Sequence, residues 1–287
     1  MIPANPDNPI GIFDSGVGGL SVLKAIRQQM PEEAVLYVAD QEHVPYGPRP
    51  VEEIQAFSES ITRFLLERGA KLIVVACNTA SAAALRYLRE KFPSVAFVGM
   101  EPAVKPAAEH THTGVVGVLA TPATFQGALY ASVVERFANG VELLQHTCPG
   151  LVARIEQGDL DGLQTRAILE EALLPMLARG IDTVVLGCTH YPFVIPLIRE
   201  IVGEDVRVID PAPAVARQTR RLLETLGRKR SAAGPGMMQF FTSGSVESFQ
   251  EILSQLLGES VSVHGAHWQP NGTLYSAEDF RGLTENA

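Results

Sequence analysis

Short apolar, β-branched runs recur along this chain, and between them apolar positions return every three or four residues. The runs fall at 10–13, 35–39, 72–76, 95–98, 115–119, 141–145, 183–187, 206–209 and 238–241, and each predicts a strand. Segments 51–68 and 163–179 carry the period of amphipathic helices. Strands that are apolar throughout, rather than alternating, are those buried on both faces. Their alternation with helices predicts an α/β fold of mostly parallel sheet covered by helices.

The pattern also repeats. LLERGAKLIVVACNTA (65–80) matches MLARGIDTVVLGCTHY (176–191), each reading helix, Arg-Gly, strand, cysteine and threonine. IGIFDSG (10–16) matches VGVLATP (116–122), and VGMEPAVKPA (98–107) matches VIDPAPAVA (208–216). The three offsets are 111, 106 and 109 residues. Segments in one order at nearly one offset predict a duplicated domain: two similar lobes, pseudo-two-fold related, with the active site in the cleft between them. Residues 1–99 plus about 210–265 are expected to form the first lobe and 100–209 the second, while the tail 266–287 has no assigned place. Open α/β sheets bind ligands at the carboxyl ends of their strands. Cys77 and Cys188 each stand one step beyond such an end, so sister lobes would bring them to opposite sides of one ligand.

Composition narrows the partners. Of 287 residues, 46% are hydrophobic and 19% charged, as in an ordinary folded protein. The formal charge is −9, and Lys and Arg gather only at Arg228, Lys229 and Arg230, which read as a solvated loop; nucleic acid is not expected as a partner. No window holds the roughly 18 apolar residues of a membrane span. The opening MIPANPDNP has no signal-peptide character and reads as a flexible lead-in. Three cysteines without an export signal predict reduced thiols and a cytoplasmic location.

Inverting a tetrahedral carbon by proton transfer needs an acid on one face and a base on the other. A cysteine serves as either, its ordinary pKa being about 8.5. A lone cysteine after a strand is commonly a small buried hydrophobe, and Cys148 reads that way. Cys77 and Cys188 differ from it in occupying duplicated positions, each followed within two residues by a threonine. ACNTAS places Asn78 and Thr79 directly after the first thiol, and GCTHYP places Thr189 and His190 after the second. Helix N-termini following each thiol would supply N–H groups suited to a thiolate or a carboxylate. His190 is a candidate acid/base partner of Cys188; no second ligand follows at metal spacing, so no metal is expected.

GIFDSGVGG (11–19) brings Asp14 to the end of the first strand before a glycine-dense turn. With Asp40 after the second strand, this could imitate a dinucleotide fingerprint, but the glycine spacing is wrong. The alternative is that Asp14 and Ser15 face the cleft. The turn at Tyr46 and Gly47 either grips a small anion through backbone N–H groups or is a plain surface turn. On these residues alone three readings stay open: a two-thiol racemase, a cysteine hydrolase built on Cys188 and His190, and a non-catalytic two-lobe binder of acidic amino acids.

Taken together, GIFDSGVGGLSVL, VADQEHVPYGPRP, IVVACNTASA, GMEPAVKPA, CPGLVARIEQGD, VVLGCTHYP and TSGSVESF resemble the bacterial glutamate racemase family, in that family's order, from about residue 10 to 250. The cysteine motifs are shared with the wider aspartate/glutamate racemase superfamily, while the opening, the PYG segment and the EPAVKPA stretch are more specific. The resemblance implies a cofactor-independent isomerase that interconverts L- and D-glutamate and supplies D-glutamate for peptidoglycan, and so for cell-wall biogenesis and cell shape. It further implies a cytoplasmic homodimer acting on a small molecule, with neither nucleic acid nor membrane as partner. By motif match, Cys77 serves D-glutamate as base and Cys188 serves L-glutamate; Asp14 assists Cys77, and Glu156 with His190 assists Cys188. Implied substrate contacts are Ser15, Tyr46, Gly47, Asn78, Thr79 and Thr189, joined by Thr121 and Thr124 from the second lobe. Pattern alone makes Glu156 an exposed helical residue, so its role rests on the resemblance. The lead-in and the tail HWQPNGTLYSAEDFRGLTENA have no counterpart in it, and the motifs do not separate glutamate from aspartate.

Overall fold

Each of the nine apolar runs forms a strand, in a computed structural model that describes residues 5–259 and 261–276. The strands are β1 (Ile10–Asp14), β2 (Val35–Ala39), β3 (Leu72–Val75), β4 (Phe97–Gly99), β5 (Val115–Ala120), β6 (Glu142–His146), β7 (Thr183–Gly187), β8 (Arg207–Ile209) and β9 (Met238–Thr242). Two more, β10 (Val263–Trp268) and β11 (Leu274–Ser276), arise where the periodicity is too weak to predict them. β10 reads VHGAHW and buries only Ala266 fully, so it is held by its ladders to β9 and β11 rather than by an apolar face. Residues 1–4 of the lead-in and 277–287 of the tail lie outside the described residues.

β2, β1, β3 and β4 lie side by side, all parallel, and β6, β5, β7 and β8 repeat that order in a second sheet. The repeat read in the sequence is therefore a repeat of topology, and it yields two α/β lobes. The first sheet alone continues past β2 through β9 and β10 to the antiparallel β11, reaching seven strands against four.

Helix Val104–His110 packs on β7 in the second lobe, whereas helix Ala212–Thr225 returns to pack on helix Leu20–Gln29 and beside β4 in the first. One apolar cluster runs across the seam, joining Val17, Leu20 and Ala39 to Leu119, Leu151, Ile155 and Leu186. At about 1.5–3 kcal/mol for each large aliphatic side chain taken from water, this seam docks the lobes.

The basic run is not a solvated loop. Arg228 donates to the carbonyl of Lys71 at 2.9 Å, Lys229 pairs with Glu32 at 2.7 Å, and Arg230 pairs with Asp7 at 3.1 Å. The Arg230 N–H also meets Glu33, whose carboxylate pairs with the fully buried Lys71 at 2.6 Å. A buried charge persists only when paired, and this pairing draws in both the basic run and the lead-in from Asn5 onward. Among the described residues no helix is long and apolar enough to cross a membrane.

Candidate active site

In each repeat the two central strands end in polar residues, and these four ends meet between the lobes. β1 delivers Asp14 and Ser15, β3 delivers Cys77, β5 delivers Thr121, and β7 delivers Cys188, Thr189 and His190.

Cys77 leaves β3 in extended conformation and caps helix Asn78–Lys91: the Ala80 N–H donates to its sulfur at 3.4 Å. The thiol lies 3.9 Å from Ser15 Oγ, which accepts from it. Burial pushes the thiol far up from its ordinary pKa, and the charges of Asp14 and Cys188 add to this while the Ala80 N–H opposes it. Ser15, which accepts from Cys77, follows Asp14, which accepts from the Thr189 hydroxyl beside Cys188, so adjacent residues at the end of β1 join the two thiol-bearing strand ends.

An imidazole meets Cys188: His190 Nδ1 lies 3.7 Å from its sulfur, and His190 Nε2 lies 2.6 Å from Glu156 Oε1. Glu156 ends the short helix Leu151–Glu156 and also accepts from the Val17 N–H at 2.8 Å and from Gln41 Nε2 at 3.1 Å. Burial opposes the imidazolium, but hydrogen bonds to Cys188 and Glu156 and the Glu156 charge hold the His190 pKa well above its usual value. Burial likewise opposes the carboxylate, and His190, Val17 and Gln41 overcome it, so the Glu156 pKa falls. Both shifts favour an imidazolium bound to a carboxylate. Glu156 is thus nearly buried, contrary to the exposure its helical pattern predicts, because the first lobe covers it.

The glycine-dense turn does that covering. A Cβ on Gly16 would strike the Glu156 carboxylate, and one on Gly18 would strike the His190 ring and the Thr189 hydroxyl. The glycines admit the second lobe's side chains; they cradle no phosphate. Asp14, fully buried, accepts from the Gly16 N–H at 2.8 Å and from Thr189 Oγ1 at 3.0 Å. Burial raises its pKa, with the His190 charge acting the other way. Asp14 acts on Cys77 through its charge, and its hydrogen bonds go elsewhere.

On the opposite side a hydroxyl chain crosses the lobes. Thr79 Oγ1 and Thr121 Oγ1 are 2.9 Å apart, as are Thr121 Oγ1 and Thr124 Oγ1. Gly47 lies against Thr121, where an added Cβ would come within 3.4 Å of the threonine Cβ. Asn78 is 4% exposed, and neither its amide oxygen nor its nitrogen has a partner. Of the thirteen residues read from the sequence, only Tyr46 has its polar atom committed away from the others: its buried hydroxyl donates to Asp40 at 2.6 Å. Asp40 in turn accepts from Trp268 Nε1 and Ser243 Oγ at 2.8 Å each and meets His43 Nδ1 at 2.9 Å, so its carboxylate is filled from within and holds no ribose. Among the described residues no group of three or more His, Cys, Asp or Glu is arranged to hold a metal.

Residues 10–219 match the family model described as Asp/Glu/Hydantoin racemase. The chain belongs to that family. This racemase is 54% identical over 257 residues to the glutamate racemase of Pseudomonas paraeruginosa, spanning 89% of this chain and 96% of that one. Its fold superposes on Bacillus anthracis glutamate racemase isoform RacE1 with a TM-score of 0.81 at 38% identity, covering 89% and 96% of the two chains. It superposes on Escherichia coli glutamate racemase, solved with L-glutamate and the activator UDP-MurNAc-Ala, with a TM-score of 0.79 at 33% identity, covering 90% and 97%.

Reading the sequence missed Gln41, the Val17 N–H and the Asp40 hub of this racemase. All three sit in quoted motifs, but Glu156 lies 115 residues from Gln41 and 139 from Val17, and Trp268 lies 228 from Asp40, so local pattern holds no signal of those contacts.

Proposed function

We propose that this racemase interconverts L- and D-glutamate without a cofactor, by two-base proton transfer between Cys77 and Cys188. The observation that carries the reading is that two thiols stand at equivalent strand ends of the repeat, with the adjacent residues Asp14 and Ser15 reaching Thr189 beside Cys188 and the Cys77 thiol respectively. In the L-to-D direction the Cys188 thiolate, backed by the His190 imidazolium, takes the α-proton. The electron pair left on the α-carbon spreads into the substrate carboxylate, and the Cys77 thiol then delivers its proton to the opposite face. Cys188 ends as a thiol and Cys77 as a thiolate, so the return reaction starts from the mirrored state.

Positioned acid/base groups contribute roughly 10² to 10⁴ in rate, and the weak acidity of an α-proton demands more. Donors aimed at the carboxylate supply the remainder. Asn78, buried with an unpaired amide, and the Thr79–Thr121–Thr124 chain are suited to this, with Ser15, Thr189 and the Tyr46–Gly47 turn completing the substrate contacts. Asp14 tunes Cys77, and Glu156 with His190 tunes Cys188. Cys77 and Cys188 are each 4% exposed, so substrate enters only when the lobes part. Glutamate as substrate is supported by the relatives' activity. The same likeness supports a cytoplasmic homodimer that supplies D-glutamate to peptidoglycan.

The test is racemization in D₂O. Starting from D-glutamate, solvent deuterium should accumulate in the L product while the remaining D substrate stays protonated at early times. Equal early labelling of both enantiomers would mean one base, and no turnover of glutamate would overturn the substrate assignment.

A further inference from the structure

We propose that Gln41 is a positioning residue: it holds the Glu156 carboxylate square to His190, and the turn after β9 holds Gln41 in its turn. This rests on the two-base reading and extends it to a part of the chain that reading leaves unused, the TSGS segment at 242–245.

The bonds form one chain. The Gly244 N–H donates to Thr242 Oγ1 at 3.1 Å, and Thr242 Oγ1 donates to Gln41 Oε1 at 2.8 Å. Gln41 Nε2 donates to Glu156 Oε2 at 3.1 Å, Glu156 Oε1 meets His190 Nε2 at 2.6 Å, and His190 Nδ1 lies 3.7 Å from the Cys188 sulfur. Charge fixes the direction of every link. An ionised carboxylate only accepts, so Gln41 must turn its NH₂ toward Glu156 and its carbonyl toward the Thr242 hydroxyl. That hydroxyl then donates, and its lone pair takes the Gly244 N–H. Gly244 also permits the approach, since a Cβ there would lie 2.9 Å from the Gln41 Cβ.

The position of Gln41 explains why the contact matters. Oε1 of Glu156 is shared by His190 and the Val17 N–H, whereas Gln41 is what meets Oε2. The terminal torsion of a glutamate is broad, so a carboxylate anchored at one oxygen can swing. With Gln41 present both oxygens are fixed, and His190 has one orientation from which to serve the sulfur. Gln41 belongs to the first lobe and Glu156 to the second, so the device also registers lobe closure at Cys188. Its neighbour Asp40 serves the other direction: successive residues beyond a strand end point to opposite sides, and Asp40 holds Tyr46 while Gln41 holds Glu156.

The test uses Gln41→Leu and Gln41→Glu in the full-length enzyme, assayed in both directions with α-deuterated L- and D-glutamate. A hydrogen bond to a charged group is worth about 1.5–3 kcal/mol, so Gln41→Leu should lose roughly tenfold to hundredfold in kcat with KM changed by about twofold or less. The isotope effect should rise for L-glutamate, from which Cys188 removes the proton, and not for D-glutamate. Gln41→Glu should recover turnover at low pH, where its carboxyl is protonated and can donate to Glu156, and lose it as pH rises; Gln41→Leu should show no such limb. If Gln41→Leu does not fold, Thr242→Val carries the same one-sided isotope effect at smaller size. A kcat within about twofold of wild type, or isotope effects that rise equally for both enantiomers, would overturn the positioning role. A wild-type enzyme that fails to turn over glutamate in the same assay would instead defeat the two-base reading beneath it.

Discussion

The two halves of the site occupy equivalent places in the repeat and are built differently. Cys77 caps a helix and is met by a backbone N–H and a serine hydroxyl, with the unpaired amide of Asn78 next in sequence and the charge of a buried aspartate acting on it. Cys188 is met by a histidine whose far nitrogen is held by a glutamate. Burial and the nearby aspartate charge favour the thiol form of one sulfur, whereas the other has an imidazole beside it. A reversible racemase needs its two bases in opposite protonation states at every moment. Under the two-base proposal, unequal support of equivalent positions sets that difference in advance.

The strongest way to break the comparison is to remove one sulfur at a time. Cys77→Ala and Cys188→Ala should each lose about 10³-fold or more in racemization with melting temperature little changed. Exchange of the α-proton with D₂O should then divide: the Cys188→Ala enzyme should exchange D-glutamate and spare L-glutamate, and the Cys77→Ala enzyme should do the reverse. Equal exchange of both enantiomers by either variant would show that the halves are not separate bases.

Next in size is the ion pair on the Cys188 side. Glu156→Gln removes the charge that holds His190 cationic, and kcat should fall about a hundredfold, the upper end for a bond to a charged group. Stability carries the same signature. The Glu156 pKa is lowered, so its contribution is present above about pH 4.3 and lost as pH falls through the folded value; the His190 pKa is raised, so its contribution is present below about pH 6.5 and lost as pH rises through the folded value. Both act in full between those limits. The gap in melting temperature between wild type and Glu156→Gln should be widest there, on the order of 5–10 °C, and should narrow on both sides. A gap independent of pH would mean that His190 is not charged in the folded protein.

How much of this was legible depends on how far each contact reaches along the chain. The nine strands were readable because β1, β3 and β7 are apolar at nearly every position, and the cysteines because strand and thiol repeat together. Asn78, Thr79, Thr189 and His190 were readable as neighbours of a thiol. Glu156 was not, because its burial is conferred by Gly16 from the other lobe, and a helix face does not announce what will cover it. β10 and β11 were hidden for a related reason: they complete a sheet that already exists, so hydrogen bonding suffices and the sequence there is free to carry His264, Gly265 and His267.

On the Cys77 side the sharper experiment is Asn78→Ala. A buried amide without partners costs about 1–3 kcal/mol, so its loss should leave the fold as stable as before or slightly more so. The same group, when substrate supplies the partners, should account for about a tenfold fall in kcat/KM on truncation. A variant that melts early and binds normally would show that the amide serves the fold and has partners in solution.

The smallest effect separates the Tyr46 turn from both sulfurs. Trp268 from β10 donates to Asp40 Oδ1 at 2.8 Å, and Asp40 holds the Tyr46 hydroxyl at its other oxygen. Trp268→Phe keeps a ring against Phe57 and His43 and removes only the donor. Asp40 retains Ser243, His43 and Tyr46, so losing one of several bonds should cost less than a sole bond would, about threefold in KM with kcat unmoved. The direction of that split is what matters. If the turn at Gly47 only binds substrate, disturbing its anchor changes KM and leaves proton transfer to the two sulfurs alone. A matching fall in kcat would mean instead that the turn helps align the α-carbon between them, and the segment beyond β9 would then belong to the chemistry of the Cys77 half as Gln41 belongs to that of Cys188.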